Sequence, residues 1–186
     1  MSGRPPEMKE ACAIPGVLRI ALPGGIDPRG CFSEVFRLRW FGREFGDEVQ
    51  VNCSVSEAGV LRGMHFHNRQ YDLWYPCTGH IRAAFADVRV GSATFGLTDL
   101  LELRGEGSCA ILIPPGVAHG YLAVERSCLV YVVDRYFDGS DEYGIAWDDP
   151  DLGIDWGCPS PILSERDRGN QSFRSLKQAG GKARGE

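Results

Sequence analysis

The sequence predicts an all-β domain in which two sheets close into a barrel. Short runs of β-branched and aromatic residues alternate with polar residues along most of the chain. Clusters of turn residues separate these runs at about the 8–12-residue spacing that is typical of sandwiches and barrels. At 186 residues, 43% of them hydrophobic, the chain is long enough to form one domain with a sizeable core.

The alternating runs predict ten strands, separated by turns such as Asp27-Pro28-Arg29-Gly30 and a turn at Gly79. In chain order, they cover residues 17–22, 31–36, 49–56, 59–67, 73–77, 81–90, 97–103, 109–113, 120–124 and 128–133. We expect short helices over 40–45 and 163–168, the second capped by Ser164 or a neighbour. We also expect a flexible N-terminus over 1–12, a single domain over 13–172 and a disordered tail over 173–186.

Composition and charge exclude several classes of protein. The net charge of −5 argues against a general nucleic-acid-binding protein, which needs a basic surface to neutralise phosphates. No run approaches the roughly 18 apolar residues of a membrane span, and the first ten residues contain no apolar signal region. The seven scattered cysteines include no C-x-x-C pair, which indicates reduced thiols in a cytoplasmic protein.

Three histidines and one carboxylate have the spacing of a metal site. His65 and His67 are two residues apart, so in a strand they point to the same face, and Asp72 follows five residues later. His119 comes just after the turn at 114–116, and a closed barrel could bring its strand alongside the first. The four residues resemble the two metal motifs of the cupins, whose fold is a double-stranded β-helix, or jelly roll. Such a set suits Fe, Mn, Ni, Co or Zn.

Longer segments carry a second and more specific resemblance. They are 27–34, 50–54, 60–65, 87–96, 113–121, 149–156 and 163–167. In this order they resemble the signatures of the dTDP-4-dehydrorhamnose 3,5-epimerase family, a branch of the cupins that usually works without a metal. The resemblance implies a cupin-type barrel with a short C-terminal helical segment. It also implies a homodimer, because this family pairs by exchanging strands.

This resemblance implies epimerisation at carbon 3, carbon 5 or both of a nucleotide-diphospho-4-keto-6-deoxy sugar, without a cofactor. A base removes the proton beside the ketone, the enolate is stabilised, and a proton returns to the opposite face. By resemblance His65 is the base, Asp167 orients it and Tyr131 is the acid. The same resemblance implies that Arg29, Glu34, Gln50, Asn52, Arg62 and His119 bind the substrate.

The chain departs from the family pattern at the same positions that suggest a metal. The family has lysine in place of Asp72, aspartate in place of Ala83, and glutamine or a small polar residue in place of His67. Loss of one oxyanion donor costs about 2.7–4 kcal/mol, so a carboxylate in place of a cation should raise the barrier further. A divalent metal would compensate as a Lewis acid. However, His65 cannot be both a metal ligand and the free base, so Tyr131 or a metal-bound water would then have to act as the base.

Three functions therefore stay open on the sequence alone. The first is the epimerase. The second is a metal-dependent cupin enzyme, an isomerase or an oxygenase, that acts on a sugar-like small molecule. The third is a nucleotide-sugar binder that has lost catalysis together with the lysine. Individual residues also have plainer interpretations: His67 as a core or surface histidine, Asp72 as an exposed loop residue, Tyr131 as a packing residue and Asp167 as a surface charge.

Overall fold

A computed structural model describes residues 5–42, 45–107 and 109–178, and these residues form a jelly-roll barrel of antiparallel strands. The strands are β1 Met8–Glu10, β2 Leu18–Ala21, β3 Gly24–Asp27, β4 Gly30–Ser33, β5 Gln50–Ser56, β6 Leu61–Phe66, β7 Asp72–Thr78, β8 His80–Asp87, β9 Thr98–Arg104, β10 Cys109–Ile113, β11 Val117–Ala123, β12 Ser127–Val133 and β13 Tyr143–Gly144. The helices are α1 Glu165–Arg168 and α2 Phe173–Gln178, and a 3₁₀ turn covers Leu38–Trp40.

Two sheets and a separate hairpin account for these strands. One sheet has the order β1-β2-β10-β7-β12-β5, and the other has the order β13-β6-β11-β8-β9. The strands β3 and β4 pair only with each other. Buried aliphatic and aromatic side chains from both sheets form the core. The predicted all-β cupin-type barrel is therefore confirmed.

Each predicted strand has a counterpart, whereas β1, β3 and β13 were not predicted. The strand predicted over 31–36 already ends at Ser33, and the strand predicted over 120–124 begins earlier, at Val117. The turn predicted at Gly79 joins β7 to β8 with φ +81°. A Cβ atom there would lie 2.4 Å from the Arg126 carbonyl oxygen, so both the conformation and the space require glycine.

Helix and strand extend past the predicted limits of the domain at both ends. In the segment predicted to be flexible, Met8–Glu10 pairs with β2, so ladder hydrogen bonds order it. In the segment predicted to be a disordered tail, α2 buries Phe173 and Leu176 in the core. Tertiary burial stabilises such a short helix, although its own propensity is weak. Residues 1–4 and 179–186 lie outside the described residues.

The two short helices predicted from sequence have different outcomes. Helix α1 begins where expected, and the Ser164 hydroxyl caps it by accepting the Asp167 N–H at 3.1 Å. The helix predicted over 40–45 is instead the 3₁₀ turn at Leu38–Trp40, and residues 43 and 44 lie outside the described part of the chain. In the described residues, no helix is long and apolar enough to cross a membrane.

The signature over 87–96 has a structural role. Asp87 is fully buried, and its carboxylate accepts hydrogen bonds from Arg89, Ser92 and Thr94. Burial raises the pKa of Asp87, but these donors outweigh burial and hold the pKa well below its usual range. The ionised carboxylate therefore fixes the loop between β8 and β9, away from the cavity described next.

Candidate active site

A cavity of about 640 Å³ lies between the two sheets and is closed on one side by the segment around α1. The sheets contribute opposite walls: β6 and β11 belong to one sheet, and β5, β7 and β12 to the other. The predicted site residues that line this cavity are Gln50, Asn52, Arg62, His65, His67, Asp72, His119, Tyr131 and Asp167. The barrel therefore brings together nine of the residues that the sequence singled out.

His65 forms a close pair with Asp167. The His65 Nε2 atom lies 2.6 Å from Asp167 Oδ1, although the two residues are 102 positions apart. The Asp167 side chain is 5% exposed, while that of His65 is 21% exposed and lines the cavity. Burial raises the pKa of Asp167, but the hydrogen bond and charge of His65 outweigh burial and lower it. An ionised Asp167 accepts the Nε2–H of His65 and leaves Nδ1 as the basic nitrogen.

Tyr131 lies on the opposite wall from His65. It belongs to β12, where it pairs with Asn52 on one side and Trp74 on the other. Burial raises the pKa of the Tyr131 phenol, and the negative charge of Asp72 raises it further. Tyr131 therefore keeps its proton at neutral pH and can donate it.

His67, Asp72 and His119 form a separate cluster. His67 directly follows β6, Asp72 opens β7 and His119 is on β11. The Asp72 Oδ2 atom lies 2.9 Å from His119 Nε2 and 3.6 Å from His67 Nε2. Gln70 donates a hydrogen bond to the other carboxylate oxygen at 3.0 Å. Burial raises the pKa of Asp72, but the His119 hydrogen bond and the charges of His119 and His67 outweigh burial and lower it.

The structure brings three of the four residues of the predicted metal set together as candidate ligands. His119 does lie opposite His65 in the strand pairing, as the barrel prediction required. However, the ring of His65 is held by Asp167, and the group with metal-ligand geometry contains only His67, Asp72 and His119. Sequence spacing could not show this difference. Alternation along a strand places His65 and His67 on one face but does not fix where each ring points.

Two predicted substrate-binding residues lie outside this cavity. Arg29 is at the turn of the β3–β4 hairpin, where its side chain is 90% exposed and pairs with Asp27. Glu34 follows the same hairpin and pairs with Arg37. Neither residue lines the cavity of its own chain.

Sequence reasoning also missed some residues of the site. Gln70 orients Asp72, and Arg166 and Glu142 line the cavity as an ion pair at 2.8 Å. Gln70 could have been found, because it lies two residues before Asp72. No sequence signal marks the backbone carbonyl of Asp141, which accepts a hydrogen bond from His67 Nδ1 at 2.5 Å.

Comparison with known proteins agrees with the fold and the site. The sequence model of the dTDP-4-dehydrorhamnose 3,5-epimerase family matches residues 11–175. The dTDP-4-dehydrorhamnose 3,5-epimerase of Mycobacterium tuberculosis (strain ATCC 25618 / H37Rv) is 34% identical over 177 residues, which cover 90% of this chain and 88% of that protein.

Two solved structures extend this comparison. The rmlC epimerase of Mycobacterium tuberculosis superimposes with a TM-score of 0.84 at 32% identity, over 96% of this chain and 94% of that one. The dTDP-6-deoxy-D-glucose-3,5-epimerase of Legionella pneumophila was solved in complex with dTDP-4-keto-L-rhamnose. It superimposes with a TM-score of 0.84 at 28% identity, over 94% of this chain and 97% of that one. The expected resemblance is confirmed: the chain belongs to the dTDP-4-dehydrorhamnose 3,5-epimerase family.

Proposed function

We propose that this protein is an isomerase that inverts carbon 3, carbon 5 or both of a dTDP-linked 4-keto-6-deoxy sugar. The observation that carries the proposal is the placement of the His65–Asp167 pair and of Tyr131 on opposite walls of one cavity. A sugar ring bound between the walls presents one face to a base and the other to an acid. This arrangement can invert a carbon beside a ketone, because the proton leaves one face and another proton returns to the opposite face.

His65 supplies the base. The ionised Asp167 fixes the Nε2–H of His65, so the Nδ1 lone pair takes the proton from the carbon beside the ketone. Asp167 then stabilises the imidazolium that forms, because it stays charged in a buried site. The electron pair of the broken C–H bond moves onto the ketone oxygen and gives an enolate.

Tyr131 returns a proton to the other face. Its raised pKa keeps the phenol protonated, and the opposite wall is the correct side for inversion. The proton leaves the phenol oxygen, forms the new C–H bond, and the enolate electron pair returns to rebuild the ketone. No oxidation or reduction occurs, so the two side chains account for the proton transfers.

The nucleotide end of the substrate needs positive charge and polar groups. Arg62 and Arg166 line the cavity and can pair with diphosphate oxygens. Gln50 donates a hydrogen bond to Asn52 at 2.9 Å, and both residues line the same wall. All four residues line the cavity that contains the His65–Asp167 pair.

The enolate oxygen also needs stabilisation, because the family lysine is replaced by Asp72. The donor set of two imidazoles and a carboxylate at His67, Asp72 and His119 fits a divalent transition metal. Such an ion supplies positive charge to a nearby enolate oxygen when it is bound. His65 is paired with Asp167 and is not part of this three-residue cluster. A metal could therefore bind at the cluster while His65 stays free to act as the base.

The functional unit that we propose is a homodimer. The β3–β4 hairpin joins neither sheet, and its Ile26 and Phe32 are 82% and 61% exposed. An isolated hairpin is only marginally stable in water, so a partner chain that covers it would stabilise it. Arg29 lies at the tip of this hairpin, so a partner chain that covers the hairpin would also lie near Arg29.

Light scattering tests this assembly. We expect a mass of twice the 20.5 kDa chain for the native protein and a shift toward the monomer for Phe32→Asp. Val90→Asp is the matched control, because Val90 is also 61% exposed but lies outside the hairpin. A monomeric native protein, or equal dissociation of both variants, would contradict the proposed dimer.

Product analysis tests the activity. The protein is incubated with dTDP-4-keto-6-deoxyglucose, and the ring-proton couplings of the sugar are followed by NMR. We expect couplings that report inversion at carbon 3, carbon 5 or both. If the protein is only a binder, the substrate signals broaden on binding but the recovered sugar keeps its configuration.

A further inference from the structure

We propose that His67, Asp72 and His119 bind one divalent transition-metal ion, and that His65 is not one of its ligands. The ligand atoms are Nε2 of each histidine and Oδ2 of Asp72. Metal binding at this site stands apart from the epimerase activity, whereas the role of the ion in stabilising the enolate rests on the proposed function.

Backbone carbonyl groups fix the protonation of both histidine rings. The Nδ1 atom of His119 lies 2.9 Å from the Val117 carbonyl oxygen, and that of His67 lies 2.5 Å from the Asp141 carbonyl oxygen. A carbonyl oxygen can only accept a hydrogen bond, so each Nδ1 must carry the hydrogen. In the neutral rings, Nε2 therefore has the lone pair. Histidines that ligate metals commonly make this same hydrogen bond from their other nitrogen.

Both lone-pair nitrogens contact the same buried carboxylate oxygen. Asp72 Oδ2 is 2.9 Å from His119 Nε2 and 3.6 Å from His67 Nε2, and the Asp72 side chain is 4% exposed. Lone pairs beside an anion repel it, and burial weakens screening by water. Positive charge must therefore lie between the rings and the carboxylate, either as added protons, which give the histidine charges described above, or as a metal ion. A proton added to His119 would satisfy only one of these contacts. A single cation among the three atoms satisfies all of them.

The distances also suit a single ion. Ligand atoms bonded to one ion at about 2.0–2.2 Å are separated by roughly 3.0–3.6 Å when the angle between them is about 90–120°. The two Asp72 contacts fall close to this range, and all three ligand atoms lie within 4.8 Å of one another. Gln70 holds the other carboxylate oxygen, which leaves Oδ2 for the ion.

The composition of the site indicates which ions it would take. Two imidazoles with one carboxylate suit Fe²⁺, Mn²⁺, Co²⁺, Ni²⁺ or Zn²⁺ better than Mg²⁺ or Ca²⁺, which prefer oxygen ligands. Three protein ligands leave coordination positions open, and all three residues line the cavity. The ion would place positive charge at the position where the family pattern has lysine.

The test measures metal binding directly. The purified protein is stripped with a chelator and titrated with Co²⁺, while visible absorption follows the ion and elemental analysis gives the stoichiometry. We expect one Co²⁺ per native chain, with an absorption spectrum that reports nitrogen ligation. His67→Gln and Asp72→Asn should each weaken binding by more than about 100-fold, beyond the usual cost of losing a hydrogen-bond partner of a ligand.

Two further histidine variants make the test specific. His80→Gln is the matched control, because His80 also contacts a carboxylate, that of Glu102, but lies outside the cavity. His65→Gln should bind Co²⁺ as the native protein does, because Asp167 already holds the His65 ring. Circular dichroism melting shows that each variant is folded before its titration is interpreted.

The outcomes separate the metal site from the epimerase. The proposal is overturned if the native protein binds no stoichiometric Co²⁺, if His80→Gln loses the ion as His67→Gln does, or if His65→Gln loses it to the same extent. Binding with the expected variant pattern supports the site even when the protein has no epimerase activity. Epimerase activity without any bound metal leaves the proposed function intact and removes the site.

Discussion

His65→Asn is expected to lower kcat for epimerisation by about 1000-fold, because general base catalysis contributes about 10²–10⁴-fold to a rate. Asparagine keeps a polar group that can hydrogen-bond to Asp167, so the fold should be maintained. The variant removes only the nitrogen lone pair that takes the proton. Steady-state kinetics together with thermal melting measures both effects.

The matched control for this prediction is His80→Asn. His80 also contacts a carboxylate through Nε2, at 2.5 Å from Glu102, but it lies outside the cavity. We expect its kcat to stay close to that of the native protein. A well-folded His65→Asn protein with native turnover would contradict the assignment of His65 as the base, whether it acts alone or with Asp167.

Tyr131→Phe should uncouple the two proton transfers. Removal of the carbon-bound proton by His65 should continue, whereas return of a proton to the opposite face should fall by at least about 100-fold. In deuterated water, the keto sugar should gain deuterium without inversion, because the proton lost on the His65 face returns on that face. Mass spectrometry and NMR of the recovered sugar measure the two processes separately.

Tyr75→Phe controls for the loss of a partly buried phenol. Tyr75 is on the neighbouring strand β7, and burial raises its pKa as it does for Tyr131, but it does not line the cavity. We expect native rates for both processes. Equal loss of exchange and inversion in Tyr131→Phe would instead indicate that Tyr131 is the base or a structural residue.

The sequence predicts the fold well because alternating side chains and turn residues are local signals. The turn at Gly79 and the Ser164 cap are local in the same sense, and both are confirmed. The ends of the domain were harder to predict, because Phe173 and Leu176 are buried only by tertiary packing. Local composition could not show that contact.

The candidate site could be predicted only in part, for a related reason. Spacing places His65, His67 and Asp72 near one another. However, hydrogen bonds from distant parts of the chain determine how each histidine ring is oriented. Asp167 holds His65, whereas the Asp141 carbonyl holds His67. The division into a base and a separate three-residue cluster is therefore a property of the folded chain.

Deuterium exchange in the native protein tests the central claim most directly. The protein is incubated in deuterated water with dTDP-4-keto-6-deoxyglucose, and the deuterium content at carbons 3 and 5 is measured by NMR. We predict deuterium at carbon 3, carbon 5 or both with the native protein, and only the background level with His65→Asn. Recovery of unlabelled sugar from the native protein, with binding of the nucleotide sugar shown in the same sample, would contradict the proposed epimerase.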